Sequence, residues 1–226
     1  MMEQPKLEEP RHRDRILTAL SNVPLATTAQ IATLESIKRL SQPVKRASEY
    51  LCNLKREQIV ESRYYGFNKA EKIWRLTAKG RQITGTPPTR LRNLDHTLAA
   101  GSIYFAWQPK RFLFEPIEKF TDSGRDLYWD PDVVAVLPID GKPRVYAIEV
   151  QLSHLTPKQW AKKWEACNIF FNRGYYRTAA FQAWGGKDGK YIVPQFVVIS
   201  RQKEKDVRTG FEVENKELII TDSLKG

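Results

Sequence analysis

The sequence predicts an α+β chain of two domains, the second with α/β character, on three observations. Three stretches of helical apolar spacing precede two short alternating segments, the order of a small helical domain closed by a β-hairpin. A stretch containing Gly and paired prolines, Thr84 to Asn93, then separates regions of different composition. Beyond it two β-branched runs flank Asp140-Gly141, and a capped helix and a last apolar strand follow. These features place a frayed arm at 1–11, a first domain at 12–84, a linker at 85–93 and a second domain at 94–226.

Composition is that of a globular protein, 41% apolar and 28% charged over 226 residues. No apolar run approaches the ~20 residues of a membrane span. The opening residues lack the apolar region of a signal peptide, so the expectation is a cytoplasmic protein without membrane contact. Cys52 and Cys167 fall at apolar helical positions without metal-binding spacing, which predicts two buried free thiols. The formal charge of +11 is uneven: residues 1–93 hold 18 Lys/Arg against 9 Asp/Glu, and residues 94–226 hold 19 against 17. Concentrated positive charge in a small domain points to a polyanion, usually nucleic acid, the alternative being a solvated basic face.

Within the first domain, Ile16, Leu17 and Leu20 form the stripe of a helix that starts near Arg13 and stops at Asn22 and Pro24. A second helix fits Thr28 to Leu34, with Thr27 or Thr28 as N-cap. Ser41-Gln42-Pro43 opens a third, which runs to about Gln58. Its inward stripe is Val44, Ala47, Leu51 and Leu54, and Lys45, Arg46, Ser48, Glu49, Asn53, Lys55 and Arg56 lie on the other face. Ile59–Arg63 and Lys72–Leu76 make a hairpin with an aromatic and basic tip, and Thr77 caps a short closing helix.

Three helices, a hairpin and a closing strand form a winged helix-turn-helix. Residues 12–84 resemble winged-helix DNA-binding domains, in which leucine, threonine, any residue, lysine and glycine commonly follow the wing, here Leu76-Thr77-Ala78-Lys79-Gly80. The resemblance implies double-stranded DNA as partner, with the third helix in the major groove and Gln42, Lys45, Arg46 and Glu49 near base edges or phosphates. It also implies that Arg63, Tyr64, Lys69 and Lys72 of the wing reach the backbone or minor groove. Taken alone, each is a solvated surface residue.

In the second domain a helix fits Leu94 to Trp107, with His96 in its first turn as a capping or packing residue. A strand follows at Phe112–Ile117, then Glu118 and a loop at Thr121–Arg125. If Asp140-Gly141 is a two-residue turn, Asp132 sits opposite Glu149 and Asp130 opposite Gln151, all four on one face. Two carboxylates across a ladder repel unless a cation or a proton lies between them, and such oxygen ligands suit Mg²⁺ or Mn²⁺. The plainer reading is acids that solvate a strand end. Thr156-Pro157-Lys158-Gln159 is a capping box opening a helix to about Phe171, with Trp160, Trp164, Cys167 and Phe171 on one face and Lys158, Lys162 and Glu165 on the other. Ile192–Ser200 reads as an apolar strand and Leu218–Thr221 as an edge strand.

Helix, strand, hairpin, helix, strand resembles the core order of the restriction-endonuclease-like fold, the PD-(D/E)xK superfamily, with Pro131-Asp132 and Glu149-Val150-Gln151 at the places of its two motifs. The resemblance implies a metal-dependent DNA endonuclease in which Asp132 and Glu149 hold Mg²⁺ or Mn²⁺ and a lysine positions the attacking water. Gln151 stands in the lysine's place without its charge, so Lys158 or Lys162 becomes the candidate substitute and Glu115 or Glu118 the candidate further acid. Over about residues 12–175, with His96, Pro131-Asp132 and Glu149-Val150-Gln151-Leu152-Ser153, the chain also resembles the replication-relaxation proteins of plasmids and integrated mobile elements. That likeness implies DNA binding in replication, relaxation or mobilisation, with a second copy or other replication and mobilisation proteins as candidate partners. Three functions stay open: a DNA-binding protein with an incomplete nuclease motif, an active metal-dependent endonuclease, and a winged-helix transcriptional regulator.

Overall fold

A computed structural model of the chain describes residues 9–66, 71–88, 93–139, 142–185 and 190–222. It is a mixed α+β protein of two compact units that divide after Gln108. The expected division at 85–93 is therefore displaced, because the helix assigned to the second domain packs within the first unit. Among the described residues no helix is long and apolar enough to cross a membrane.

The first unit begins with α1 (Glu9–Asn22), so the last residues of the expected arm are helical. β1 (Ala26–Thr27) leads into α2 (Thr28–Ala32), where Thr27 and Gln30 form a capping box. A short α3 (Glu35–Lys38) had no sequence signal beyond its acidic first turn. α4 (Pro43–Arg56) buries Ala47, Leu51 and Leu54 as expected, but Val44 is 54% exposed and leaves the stripe. Its N-cap is Gln42, in the left-handed region at φ 56° with no side-chain cap, rather than Ser41. β2 (Val60–Tyr65) and β3 (Glu71–Leu76) pair antiparallel, and β1 joins β3 on the other side, giving the order β1-β3-β2. α5 (Ala78–Thr84) closes this region.

The Leu76 to Gly80 phrase has a direct physical role. The last carbonyls of α4 and the turn after it lack helical partners, and this segment supplies donors. Thr77 Oγ1 donates to the Gln58 carbonyl at 2.7 Å, the Thr77 amide to Ile59 O at 3.0 Å, and Lys79 Nζ to Glu57 O at 2.9 Å. Gly80 then lies against the Ile59 carbonyl so closely that any Cβ would overlap it.

α6 (Leu94–Trp107), N-capped by Asn93, covers the far side of this sheet: Leu98 packs with Leu25 and Ile73, and Gln30 Nε2 donates to Leu98 O at 3.3 Å. Gly101 lets the helix approach the chain at Val23 and Leu25.

In the second unit, β4 (Arg111–Phe114), β7 (Val133–Ile139), β8 (Lys142–Val150), β9 (Gln195–Ile199) and β10 (Leu218–Thr221) form one sheet in the order β10-β9-β8-β7-β4. β4 and β8 run antiparallel to β7, whereas β9 and β10 run parallel to β8. The pairing of Val133 with Ile148 and of Val136 with Val145 is the register the Asp-Gly turn requires, although Asp140 and Gly141 themselves lie outside the described residues. Between β4 and β7 the expected loop is instead a hairpin of β5 (Glu118–Asp122) and β6 (Arg125–Trp129). Its turn is Ser123-Gly124, with φ 49° and 75°, the positive pair of a tight hairpin.

α7 (Pro157–Asn172) connects β8 to β9 and buries Trp160, Trp164, Cys167, Phe170 and Phe171. Trp129 of β6 stacks on Phe170 at 4.9 Å between ring centroids. Buried Asp122 receives Arg173 Nη1 at 2.5 Å and Tyr175 Oη at 3.1 Å, fastening the small hairpin to the end of α7. Two 3₁₀ turns, Tyr175–Thr178 and Ala180–Trp184, and a short α8 (Glu204–Val207) complete the unit. Cys52 is half-buried, Cys167 is fully buried, and both are free.

The close approach at Gly80 yields a first prediction. Gly80→Ala is expected to destabilise the chain by about 2 kcal/mol, because a backbone carbonyl rather than a flexible side chain must move. Gly101→Ala, whose Cβ would meet only ordinary contact at 3.5 Å from Leu25 O, is expected to stay within about 0.5 kcal/mol of the parent. Thermal unfolding of the two variants decides this, and equal melting temperatures would contradict it.

Candidate functional site

In the first unit, the residues expected to read DNA divide between helix and hairpin. Gln42, Lys45, Arg46 and Glu49 are exposed at the start of α4. Arg46 Nη1 lies 2.9 Å from Glu49 Oε2, an exposed pair worth little in water and easily exchanged for a phosphate. Lys55 Nζ donates to Ser62 Oγ at 3.0 Å, tying α4 to β2. On the hairpin Arg63 is exposed, and Tyr64 pairs across the ladder with Lys72, whose Nζ sits 5.4 Å from the Tyr64 ring centroid. Tyr64 remains 59% exposed, with Lys72 steering its ring. Lys69 lies outside the described residues.

In the second unit the structure brings Asp132 and Glu149 together at the end of the β7–β8 pair and buries both, to 9% and 7% exposure. The ladder stops at Val133, which leaves the Val150 amide without a strand partner on β7. Asp132 Oδ2 takes it instead, at 2.6 Å, a charge-assisted bond that fixes the carboxylate. The Glu115 amide donates at 2.8 Å to the Asp132 carbonyl, so the end of β4 holds the backbone as well.

The cation that the sequence failed to place is Lys163. Its Nζ lies 2.6 Å from Glu149 Oε1, with the lysine side chain still 35% exposed. Lys158 and Lys162, the expected substitutes, are exposed on α7 and are not part of the cluster. Helical geometry gives the reason. At about 100° per residue, Lys163 lies about 60° from Trp160 and so at the edge of the buried face, whereas Lys158 and Lys162 point away from it. The stripe of Trp160, Trp164 and Cys167, already visible in the sequence, was the signal that could have selected Lys163.

Other candidates settle elsewhere. Gln151 Nε2 donates to Ser153 Oγ at 2.8 Å and Ser153 O at 3.0 Å, organising the chain after β8. Glu118 Oε1 accepts the Ala180 amide at 2.7 Å, so this acid holds a 3₁₀ turn. His96 lies in the first turn of α6, where its amide donates to Asn93 Oδ1 at 3.3 Å, and belongs to the first unit. Tyr128, Trp129, Asp130 and Pro131 line a cleft with Glu149 and Lys163, so Asp130 borders the cluster.

Burial pushes the Glu149 carboxyl well above its usual range, the Asp132 charge pushes it the same way, and Lys163 partly offsets both. For Lys163 burial favours loss of the proton, but Glu149, then Asp132 and Asp130, hold it, and the net direction is upward. Burial likewise raises the Cys167 thiol, which is unsuited to act as a nucleophile. Among the described residues no group of three or more His, Cys, Asp or Glu is placed to hold a metal ion. Two carboxylates completed by water nevertheless suit the sparse protein ligation common for Mg²⁺.

No protein-family model matches the chain, and no curated protein matches it significantly. Protein VC1899 from Vibrio cholerae, a solved crystal structure, aligns with 14% identity over 97% of this chain and 54% of its own, at a TM-score of 0.28. The chain thus spans about half the length of that protein, and a likeness of that size carries no argument about fold or function.

The raised Glu149 pKa sets a pH dependence. Above the ordinary value of 4.5 the unfolded chain releases a proton that the folded chain keeps, so stability falls as pH rises from there toward the folded value. Glu149→Gln is expected to flatten the decline in melting temperature that sets in as pH rises above 4.5, and Lys163→Met to extend it to higher pH by removing the offsetting charge. Parallel curves for all three proteins would rule out Glu149 as the titrating group.

Proposed function

We propose that this chain is a DNA-binding protein whose second unit hydrolyses phosphodiester bonds with a divalent metal ion, the first unit reading double-stranded DNA through α4 and the β2–β3 hairpin. The observation that carries the proposal is the ion pair of Lys163 with buried Glu149 beside Asp132. It supplies the acid, acid and lysine chemistry that Gln151 left incomplete.

The strand, hairpin, helix and strand of the second unit, here β4, β7–β8, α7 and β9, support the restriction-endonuclease-like reading. One departure is α6, the leading helix of that order, which packs in the first unit. The basic outward face of α4, carrying Lys45, Arg46, Lys55 and Arg56, and the three-stranded sheet with its hairpin support the winged helix-turn-helix reading. The likeness to replication-relaxation proteins would place the activity on a plasmid or integrated mobile element.

In this mechanism Asp132 and Glu149 would hold Mg²⁺ or Mn²⁺. The ion, when bound, lowers the pKa of water and neutralises charge on the phosphate. Asp132, pinned by the Val150 amide, needs little reorganisation. Lys163 reaches from the helix on a flexible stem and can donate a hydrogen bond to the attacking water or to a phosphate oxygen. Burial of the two carboxylates keeps their field unscreened, strengthening each of these interactions.

Purified protein incubated with supercoiled DNA is expected to nick or linearise it with Mg²⁺ or Mn²⁺ and not with EDTA. Asp132→Ala, Glu149→Gln and Lys163→Met should each lower the rate by about 100-fold or more. Lys158→Ala and Lys162→Ala should stay within about threefold, since neither belongs to the cluster. Cleavage that survives Lys163→Met would remove that residue from the mechanism. Retarded but uncut DNA would leave a binding protein without this activity.

DNA reading by the first unit is tested separately. Lys45→Gln with Arg46→Gln should weaken duplex affinity at low salt by about tenfold and reduce the slope of log affinity on log salt by about 0.9 for each phosphate no longer neutralised. An unchanged slope would exclude α4 from binding the phosphates.

A further inference from the structure

The second unit carries another site, at the end of β8 remote from Glu149. Arg144 and Glu149 are five residues apart on this strand, about 17 Å at the rise of an extended chain. A groove of about 720 Å³ opens there, large enough for a nucleotide rather than a lone ion. Among the described residues the charged lining is Lys110, Arg111, Arg144 and Lys216, with no carboxylate.

The groove is built by the sheet. Arg111 pairs with Val136, which pairs with Val145, so the three side chains form a row on one face across β4, β7 and β8, whereas Arg144, paired with Leu137, leaves β8 on the other face and borders the groove only at the strand edge. Lys110, Arg111 and Arg144 are exposed. None of the four cations has a salt bridge among the described residues. Among the described residues Lys216 Nζ donates to the Val193 carbonyl, at 3.3 Å, and burial draws its pKa down, the direction expected of a cation without a counter-charge there.

An aromatic surface accompanies the charge. Trp184 ends the Ala180–Trp184 turn and lines the groove beside Val136 and Val145. Its turn is held from within: Gln182 Nε2 donates to Ile192 O at 2.7 Å, and the Ile192 amide donates to Gln182 Oε1 at 2.8 Å. The Trp184 side chain itself is half-buried, packed against the core of the unit. A rim of cations over an apolar, aromatic floor matches a chain with an anionic backbone and flat apolar side groups. Duplex DNA, with its bases stacked inward, would leave such a floor unused.

We propose that this groove binds single-stranded nucleic acid, its phosphates held by Lys110, Arg111 and Lys216 and one base stacked on Trp184. The proposal does not depend on cleavage at Asp132 and Glu149 or on duplex reading by α4.

Fluorescence anisotropy of the full chain with a short labelled oligo(dT) tests it. Lys110→Gln with Arg111→Gln should weaken binding by about tenfold and lower the salt slope by about 0.7 for each cation removed. Trp184→Leu should weaken it by about fivefold or more. The α4 variant lacking Lys45 and Arg46 should bind oligo(dT) within about twofold of the parent, which separates this site from the duplex-reading face. Oligo(dT) affinity unchanged in the groove variants, or lost only in the α4 variant, would overturn the proposal. So would a loss in the Lys110 and Arg111 variant that is matched by heparin and is indifferent to Trp184, since the groove would then be a general polyanion trap.

Discussion

The second unit depends on one topological constraint, the parallel pairing of β8 with β9. Two successive parallel neighbours cannot be joined by a tight turn, so the chain must leave the sheet, cross one face and return. α7 is that crossing, and its apolar stripe is what keeps it on the sheet: Trp160, Trp164, Cys167, Phe170 and Phe171 are buried together against Trp129, Ala147 and Phe196. The helix is anchored by the Thr156–Gln159 capping box soon after β8 ends, so its early turns pass the end of β8 where Glu149 projects. Lys163 meets the acid because of that path. A shift of one residue in α7 would rotate the lysine by about 100° and break the contact.

The first unit shows a related economy in its ending. A helix terminus leaves carbonyls without partners, and a buried unpaired carbonyl is costly. Thr77, Lys79 and the amide of Thr77 satisfy those of Glu57, Gln58 and Ile59 after α4. The segment that closes the hairpin therefore also fixes the C-terminal end of the helix with the basic outer face. Because Gly80 alone can sit against Ile59 O, the spacing of threonine, lysine and glycine is set by backbone geometry, whatever the outer face binds.

Much of this was legible in the sequence, and the exceptions share a cause. Strong periodic signals held: the stripe of α7, the caps at Thr27 and Thr156, and the register that sets Val133 opposite Ile148. The β5–β6 hairpin was missed because its strands, EKFTD and RDLYW, are mostly polar; they pair across Ser123-Gly124 and are held by buried Asp122, not by an alternating apolar pattern. α6 was placed in the wrong unit because its apolar residues are spread around it, and sequence alone does not say which neighbour a helix covers. The sequence points to Lys162 before Lys163 because Lys162 stands on the outward face of α7, whereas Lys163 borders its apolar stripe. The groove cations lie on separate segments, at 110–111, 144 and 216, and only the sheet brings them together.

Energetics bear on why the acid pair exists. A carboxylate at a solvated strand end costs nothing to keep, but Asp132 and Glu149 are both withdrawn from water. Burial of an ionised carboxylate costs several kcal/mol even after relaxation, and replacing a buried ionic group by apolar side chains is often neutral or stabilising. A structural duty accounts for Asp132, which satisfies the Val150 amide, but not for Glu149, whose place a valine or leucine would fill as well. The arrangement is also unequal in its parts: Asp132 is fixed by a backbone amide, whereas Lys163 keeps a third of its side chain in solvent and can swing on its stem without moving the helix. With Glu149 ionised, the three groups carry a net negative charge, which a divalent cation would reverse. A rigid acid pair with a mobile ammonium is suited to exchanging partners as charge arrives, a property that packing alone does not require.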